Sequence, residues 1–175
     1  MKAATLTLFG VRGDLADRFA GPLTDAMSEY EINTRNRMAA FMAQILHESG
    51  MLRYTKEIWG PSAAQVRYEG RKDLGNTEPG DGKRFMGRGL IQTTGRNNYK
   101  NTGDALGVDL LSNPEMLETT VLAARSAGWF WKNRGLNELA DSGKFETITR
   151  RINGGRNGLE DRERLFDIAR RVFSD

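Results

Sequence analysis

At 175 residues, with 20 glycines and no cysteine, the chain is long enough to bury a core without metal or disulfide staples and too short to call for a second domain. Its 26 basic and 23 acidic side chains leave a formal charge of +3, too mild to argue for nucleic acid. The missing thiols exclude disulfides, thiolate catalysis and cysteine-based zinc sites.

The opening stretch MKAATLTLFGVRGDLADRF is interrupted by Gly10, Arg12 and Asp14 before a signal-peptide core or membrane span can form. The expectation is a protein without a signal peptide, made and kept in the cytosol unless something else lets it out. Residues 14 to 31 read as one or two short helices broken near Gly21-Pro22-Leu23, where proline can open a new helix. The strongest helix is NTRNRMAAFMAQILHESG: Met38, Phe41, Met42, Ile45 and Leu46 recur at helical spacing, Asn33 or Thr34 can cap the start, and Gly50 can end it.

From Trp59 to Tyr99 the pattern changes to loops and a small glycine-rich β-hairpin, with NTEPGDG as a turn cluster and KRFMGRGLIQTT as an irregular strand. Helices resume at NPEMLETTVLAARSAGWFWKNRG, where Leu117, Val121, Ala124, Gly128 and Trp131 line one face, and continue at KFETITRRI and LEDRERLFDIARRVF. The outline is one mainly α domain with a small β excursion in the middle.

Two glutamates carry the chemistry in this reading. Glu48 sits in the last turn of the strong helix, near unpaired carbonyls and the negative end of the macrodipole, and partial burial against apolar neighbours adds to the pressure to keep its proton. Glu57, nine residues on, has Arg53 and Lys56 nearby in sequence, cations that favour the ionised state of a general base. Glycoside hydrolysis needs such a pair, one acid to protonate the leaving oxygen and one carboxylate to activate water. Spacing permits the geometry only if the chain folds back after Gly50.

Other residues read more plainly. His47 is the single histidine, with no second ligand to complete a metal site, and Gly87-Arg88-Gly89 lacks the frame of a nucleotide loop. Trp59 and Tyr99 can stack on sugar rings or pack, whereas Trp129, Phe130 and Trp131 read as core. The C-terminal arginines, interleaved with acids, read as a solvated helical face. No metal or cofactor is called for.

Three segments in order, AFMAQILHESG, RFMGRGLIQTTGRNNY and ITRRINGG, resemble the lysozyme-like family 19 glycoside hydrolases, the chitinase family that also contains phage endolysins. The resemblance runs from about residue 20 to the end, and YTKEIWGP close behind HESG looks more like a bacteriophage endolysin than a plant chitinase. It implies a lysozyme-like α+β fold over residues 1–175 as a single catalytic domain, with no separate wall-binding domain. By position it implies Glu48 as general acid, Glu57 as base, and Thr94 as a second holder of the attacking water where the family often has serine. Gln92, Asn98 and Asn153 would bind the sugar chain by their amides, with Tyr99 and Trp59 beside them and Glu69, in RYEG, as fallback for the second acid.

The expected function is hydrolysis of β-1,4 bonds in an N-acetylated glycan, peptidoglycan first, by an inverting two-carboxylate mechanism. The resemblance and the missing leader together imply a monomeric endolysin that accumulates in the host bacterial cytoplasm. A holin-type permeabiliser then releases it to the periplasm and cell wall, with no stable membrane insertion of its own and no nucleic-acid partner. The rivals are a chitinase acting on chitin or chito-oligosaccharides and a non-catalytic wall-binding module.

Overall fold

The structure is a computed structural model and describes residues 1–174. In chain order the helices are α1 (Ala3–Thr7), α2 (Gly13–Glu29), α3 (Arg35–Glu48), α4 (Ala63–Val66), α5 (Asp81–Arg84), α6 (Arg96–Leu106), α7 (Thr120–Asn133), α8 (Leu136–Asp141), α9 (Phe145–Asn153) and α10 (Leu159–Val172). Short 3-10 turns at Lys72–Leu74 and Pro114–Glu118 punctuate the connections.

The helix predicted as core is core. Thr34 caps α3, its hydroxyl accepting the Arg37 N–H at 3.2 Å, and every residue from Ala39 to Leu46 is buried. A helix apolar on all sides must be wrapped: α10 lies along it, α8 packs on it, and Phe41 meets Trp131 of α7 edge-on with ring centroids 5.3 Å apart. The buried Trp131 indole donates to Asn137 at 2.9 Å, and Asn137 donates in turn to the Tyr30 carbonyl at 3.0 Å, so the polar atoms at this junction are paired.

Two sequence expectations change. Where a break was expected near Gly21, α2 continues unbroken with Pro22 inside it. An interior proline costs about 3 kcal/mol, but Leu15, Phe19, Leu23, Ala26 and Met27 bury one continuous stripe across it. At about 1.5–3 kcal/mol for each large apolar side chain, that burial against α7 outweighs the lost bond.

The expected hairpin is reduced to two isolated bridges, Lys56 with Arg88 and Arg88 with Thr93, and no strand forms among the described residues. Polar side chains, rather than a ladder, hold this region. Buried Arg88 donates to Glu118, to the Arg84 carbonyl and to the Tyr99 hydroxyl. Arg96 grips the Asp81 carboxylate through Nε and Nη2, both at 2.8 Å, while buried Asn76 joins the Tyr68 carbonyl to the Arg96 N–H.

Candidate active site

The end of α3 is built by an unusual turn. Gly50, Met51 and Leu52 all take positive φ, at 58°, 64° and 67°. Two non-glycine residues in the left-handed region cost on the order of 1–2 kcal/mol each. What offsets this is local: Met51 N–H bonds back to the Leu46 carbonyl at 2.8 Å, the buried Ser49 hydroxyl accepts the Leu52 N–H at 2.9 Å, and Leu52 is buried. The turn stops the helix at Glu48 and sends the chain back.

Glu48 keeps 23% side-chain exposure, and its Oε1 lies 2.6 Å from Nη2 of Arg162 in α10, a residue only 1% exposed. The same guanidinium donates to Gln44 Oε1 at 2.6 Å and to the Asn157 carbonyl at 3.1 Å, and Gln44 donates onward to Thr149 at 2.8 Å. A buried cation with every direction partnered fixes the acid's rotamer. The apolar surroundings expected for Glu48 are therefore corrected to a cationic partner. Arg162 is likewise the exception to the solvated arginine face.

His47, beside Glu48, meets Asp161 through Nδ1 at 2.8 Å. That contact is the first cause holding the Asp161 carboxyl below its ordinary range, with Arg164 adding to it against the cost of burial. No group of three or more potential metal-ligating His, Asp or Glu side chains occurs among the described residues.

The chain does fold back. Gly89 N–H bonds to the Thr55 carbonyl at 2.7 Å and Glu57 N–H to the Gly87 carbonyl at 2.9 Å, laying residues 55–57 along 87–89. The Glu57 carboxylate is then held by Gln65 Nε2 at 2.6 Å, the Gly87 N–H at 2.7 Å and the Tyr68 hydroxyl at 3.4 Å. Burial, then the nearby Glu57 charge, pushes the Tyr68 phenol up and keeps it a donor. The cationic neighbours predicted for Glu57 are not its partners: Lys56 reaches Glu118 at 3.5 Å instead.

Gly87 joins this acid to the Gln92 amide. A Cβ there would stand 2.5 Å from Gln92 Oε1 and 2.6 Å from Glu57 Oε2, so only glycine lets both side chains converge. Gln92, Thr94 and Asn98 line one cavity of about 250 Å³ whose lining includes neither Glu48 nor Glu57, and Asn98 is braced by its amide donating to the Thr94 carbonyl at 2.8 Å. Trp129 and Phe130, expected in the core, line this cavity too; only Trp131 of the three is fully buried.

Several predicted residues fall elsewhere. Tyr99 is fully buried, its hydroxyl bonded to the Met86 carbonyl and to Arg88, so its ring supports the floor and cannot stack on a sugar. Asn153 lies outside the cavity lining, and its Oδ1 accepts the Asn157 N–H at 3.2 Å in the turn after α9. Glu69 is a loop staple: its oxygens accept the Gly80 and Gly82 N–H groups, both at 2.8 Å, which hold its carboxyl below the ordinary range. Trp59 is half-buried, tilted against Tyr68 with centroids 6.3 Å apart.

Sequence reasoning missed Arg162 and Gln65, yet both left a signal. Arg162 stands three residues before Leu165 and seven before Ala169, on the apolar stripe of α10. SAAQ, residues 62–65, spells a capping box, which the structure contains: the Ser62 hydroxyl accepts the Gln65 N–H while Gln65 Oε1 accepts the Ser62 N–H.

The sequence model of the glycoside hydrolase family described as chitinase class I matches residues 16–142. A family 19 domain-containing protein of Haemophilus influenzae is 34% identical over 159 residues, covering 74% of this chain and 76% of that protein. An endochitinase of Arabidopsis thaliana is 38% identical over 122 residues, 69% of this chain but only 40% of the plant protein. The chain thus spans about two-fifths of that relative's length.

Among solved structures, chitinase C from Streptomyces griseus superposes with a TM-score of 0.74 at 27% identity, over 98% of this chain and 75% of that one. A class IV chitinase from Zea mays superposes with a TM-score of 0.66 at 25% identity, over 88% and 79%. The matched segment contains the strained turn, both glutamates and the Gly87–Asn98 wall, and the shared fold continues through α10 to the arginine behind Glu48: the chain belongs to glycoside hydrolase family 19.

Proposed function

We propose that the chain hydrolyses β-1,4 bonds of the N-acetylated glycan strand of peptidoglycan by a single inverting displacement. Glu48 protonates the leaving oxygen, Glu57 accepts a proton from the attacking water, and the Thr94 hydroxyl helps hold that water. The observation that carries this reading is the contrast between the two carboxylates. Glu57 is fixed by three neutral donors above a glycine it shares with Gln92, while Glu48 stands at a helix end on a buried guanidinium. Each carboxylate is thus held in place by partners of its own, and it is this fixed placement that suits the pair to acid and base work.

Hydrolysis of chitin is the second reading, favoured by the names of the similar proteins, which include chitinases of bacteria and plants. Reducing-end release from purified peptidoglycan and from chitin separates the two: rapid chitin turnover with intact walls overturns the first reading. Glu48→Gln and Glu57→Gln should each abolish release while leaving sedimentation with insoluble wall material unchanged. A Glu48→Gln protein that lyses walls at the wild-type rate contradicts the acid assignment. In the setting of phage release, a holin-type permeabiliser would bring the enzyme to the wall; no described helix is long and apolar enough to cross a membrane.

A further inference from the structure

The cavity that Gln92, Thr94 and Asn98 line is also lined by Trp129, Asn133 and Arg134, from the end of α7 and its C-cap. Of the cations on α7 and its C-cap, Arg125 is paired with Glu29 at 2.8 Å and Lys132 with Glu31 at 3.0 Å. Arg134 has no carboxylate within 4 Å among the described residues. Its position is nonetheless fixed. The guanidinium lies over the Phe130 ring, 4.6 Å from the centroid, the Arg134 N–H bonds to the Phe130 carbonyl at 3.1 Å, and Arg151 donates to the Arg134 carbonyl at 3.0 Å.

An exposed cation on an aromatic platform, in the wall of the cavity that Gln92, Thr94 and Asn98 line, finds no opposite charge in a neutral polymer. Chains of N-acetylglucosamine carry no charge, so they offer a guanidinium only neutral acceptors and no opposite charge to pair with. The peptidoglycan strand differs at every second sugar, which bears a lactyl ether continued by a short peptide with free carboxylates. Arginine's planar fork matches a carboxylate bidentately, and the Asn133 amide beside it can both donate to and accept from a peptide bond.

We propose that this part of the cavity is a subsite for the carboxylate-bearing peptide branch of peptidoglycan, with Arg134 as the group that binds the anion. The assignment rests on the peptidoglycan reading above and adds the position at which the branch is recognised. It makes Arg134 a specificity residue, separate from the two glutamates and acting on substrate affinity.

The test uses soluble peptidoglycan fragments in two forms, with stem carboxylates free and with the same carboxylates amidated, and a chito-oligosaccharide of equal length. Wild-type protein should show a KM about tenfold lower for the free-carboxylate fragments than for the amidated ones. Arg134→Gln should bring that ratio to about one, Arg134→Lys should restore part of it, and rising salt should shrink it in the wild type. Equal KM for both fragment forms in the wild type, or an unchanged ratio in Arg134→Gln, removes the subsite and leaves the peptidoglycan reading standing. Wild-type turnover of the chito-oligosaccharide with none of either fragment removes both.

Discussion

Arg162 Nη2 stands 2.6 Å from Glu48 Oε1 across the contact between α10 and α3, with the arginine 1% exposed and the glutamate 23%. Removing one member of a buried, hydrogen-bonded pair costs about 3–5 kcal/mol, because the other charge is left without a partner. Arg162→Ala should therefore lower stability by that amount and strip Glu48 and Gln44 of their shared donor. Arg162→Lys keeps the charge but cannot reach Glu48, Gln44 and the Asn157 carbonyl together, since it lacks the fork. It should fold, with kcat down by about 10²-fold through misplacement of the acid. Denaturant melts and turnover measured side by side check this; a Lys variant with wild-type kcat would show that Glu48 does not need the arginine's geometry.

Gly87 offers a cleaner separation of activity from stability. Its φ lies outside the left-handed region, so alanine fits the backbone, yet the new Cβ would meet Gln92 Oε1 and Glu57 Oε2 inside 3 Å. Both obstacles are ends of flexible side chains, which can swing away. Gly87→Ala should leave stability within about 1 kcal/mol of wild type, since losing a glycine also restricts the unfolded chain. It should cut kcat by about 10²-fold as the base and the amide move apart. Tm and kcat on one preparation decide it; full activity in the variant would mean that Glu57 works from another position.

How much of this was readable before the structure depends on which force placed each residue. Glu48 and the end of its helix followed from a local pattern, an apolar period closed by glycine, whereas the strained turn beyond it and the Arg162 partner that replaces its expected apolar surroundings came only with the structure. Glu57 and Gln92 were nameable from the motif resemblance, but their convergence over Gly87 comes from main-chain pairing of residues 55–57 with 87–89, a long-range contact without a repeating signal. The same cause undid the hairpin: Arg88, buried and partnered by Glu118 and Tyr99, takes the place of a ladder. Tyr99 was misplaced because an aromatic at helical spacing looks alike whether it faces a ligand or the core, and only the packing of Phe85 on it, with centroids 5.1 Å apart, decides.

Gln65 ties the capping of α4 to the candidate base. Its Oε1 accepts the Gly60 and Ser62 N–H groups while its Nε2 donates to Glu57 and to the Ile58 carbonyl. Gln65→Leu leaves these groups without partners and should cost about 1–3 kcal/mol. Gln65→Glu is more telling: the new carboxylate still accepts from Gly60 and Ser62 but faces Glu57 where a donor had been. Two carboxyl groups at that distance share a proton at moderately acid pH. The acid limb of the kcat/KM profile should move to higher pH with the fold intact, and a profile superimposable on wild type would remove Gln65 from any role in positioning the base.

Asp81 gives a pH dependence of stability with a definite sign. Its carboxylate is nearly inaccessible, with 2% side-chain exposure, and Arg96 grips both of its oxygens, a contact that holds its carboxyl below the ordinary range against the opposing cost of burial. The unfolded chain, with an ordinary aspartate near 3.9, binds a proton first as pH falls, so the stability this pair contributes is complete above that range. It is lost as pH drops toward the lower folded value. Asp81→Asn removes the charge-assisted bonds and should cost about 1.5–3 kcal/mol at neutral pH, roughly 3–12 °C in Tm for a chain of this size. The gap between wild type and variant should then narrow steadily below about pH 4, as the wild type loses what the variant already lacks. Thermal melts from pH 7 down to 2.5 follow it, and a gap of constant size throughout would show that the Asp81–Arg96 pair is not what the acid removes.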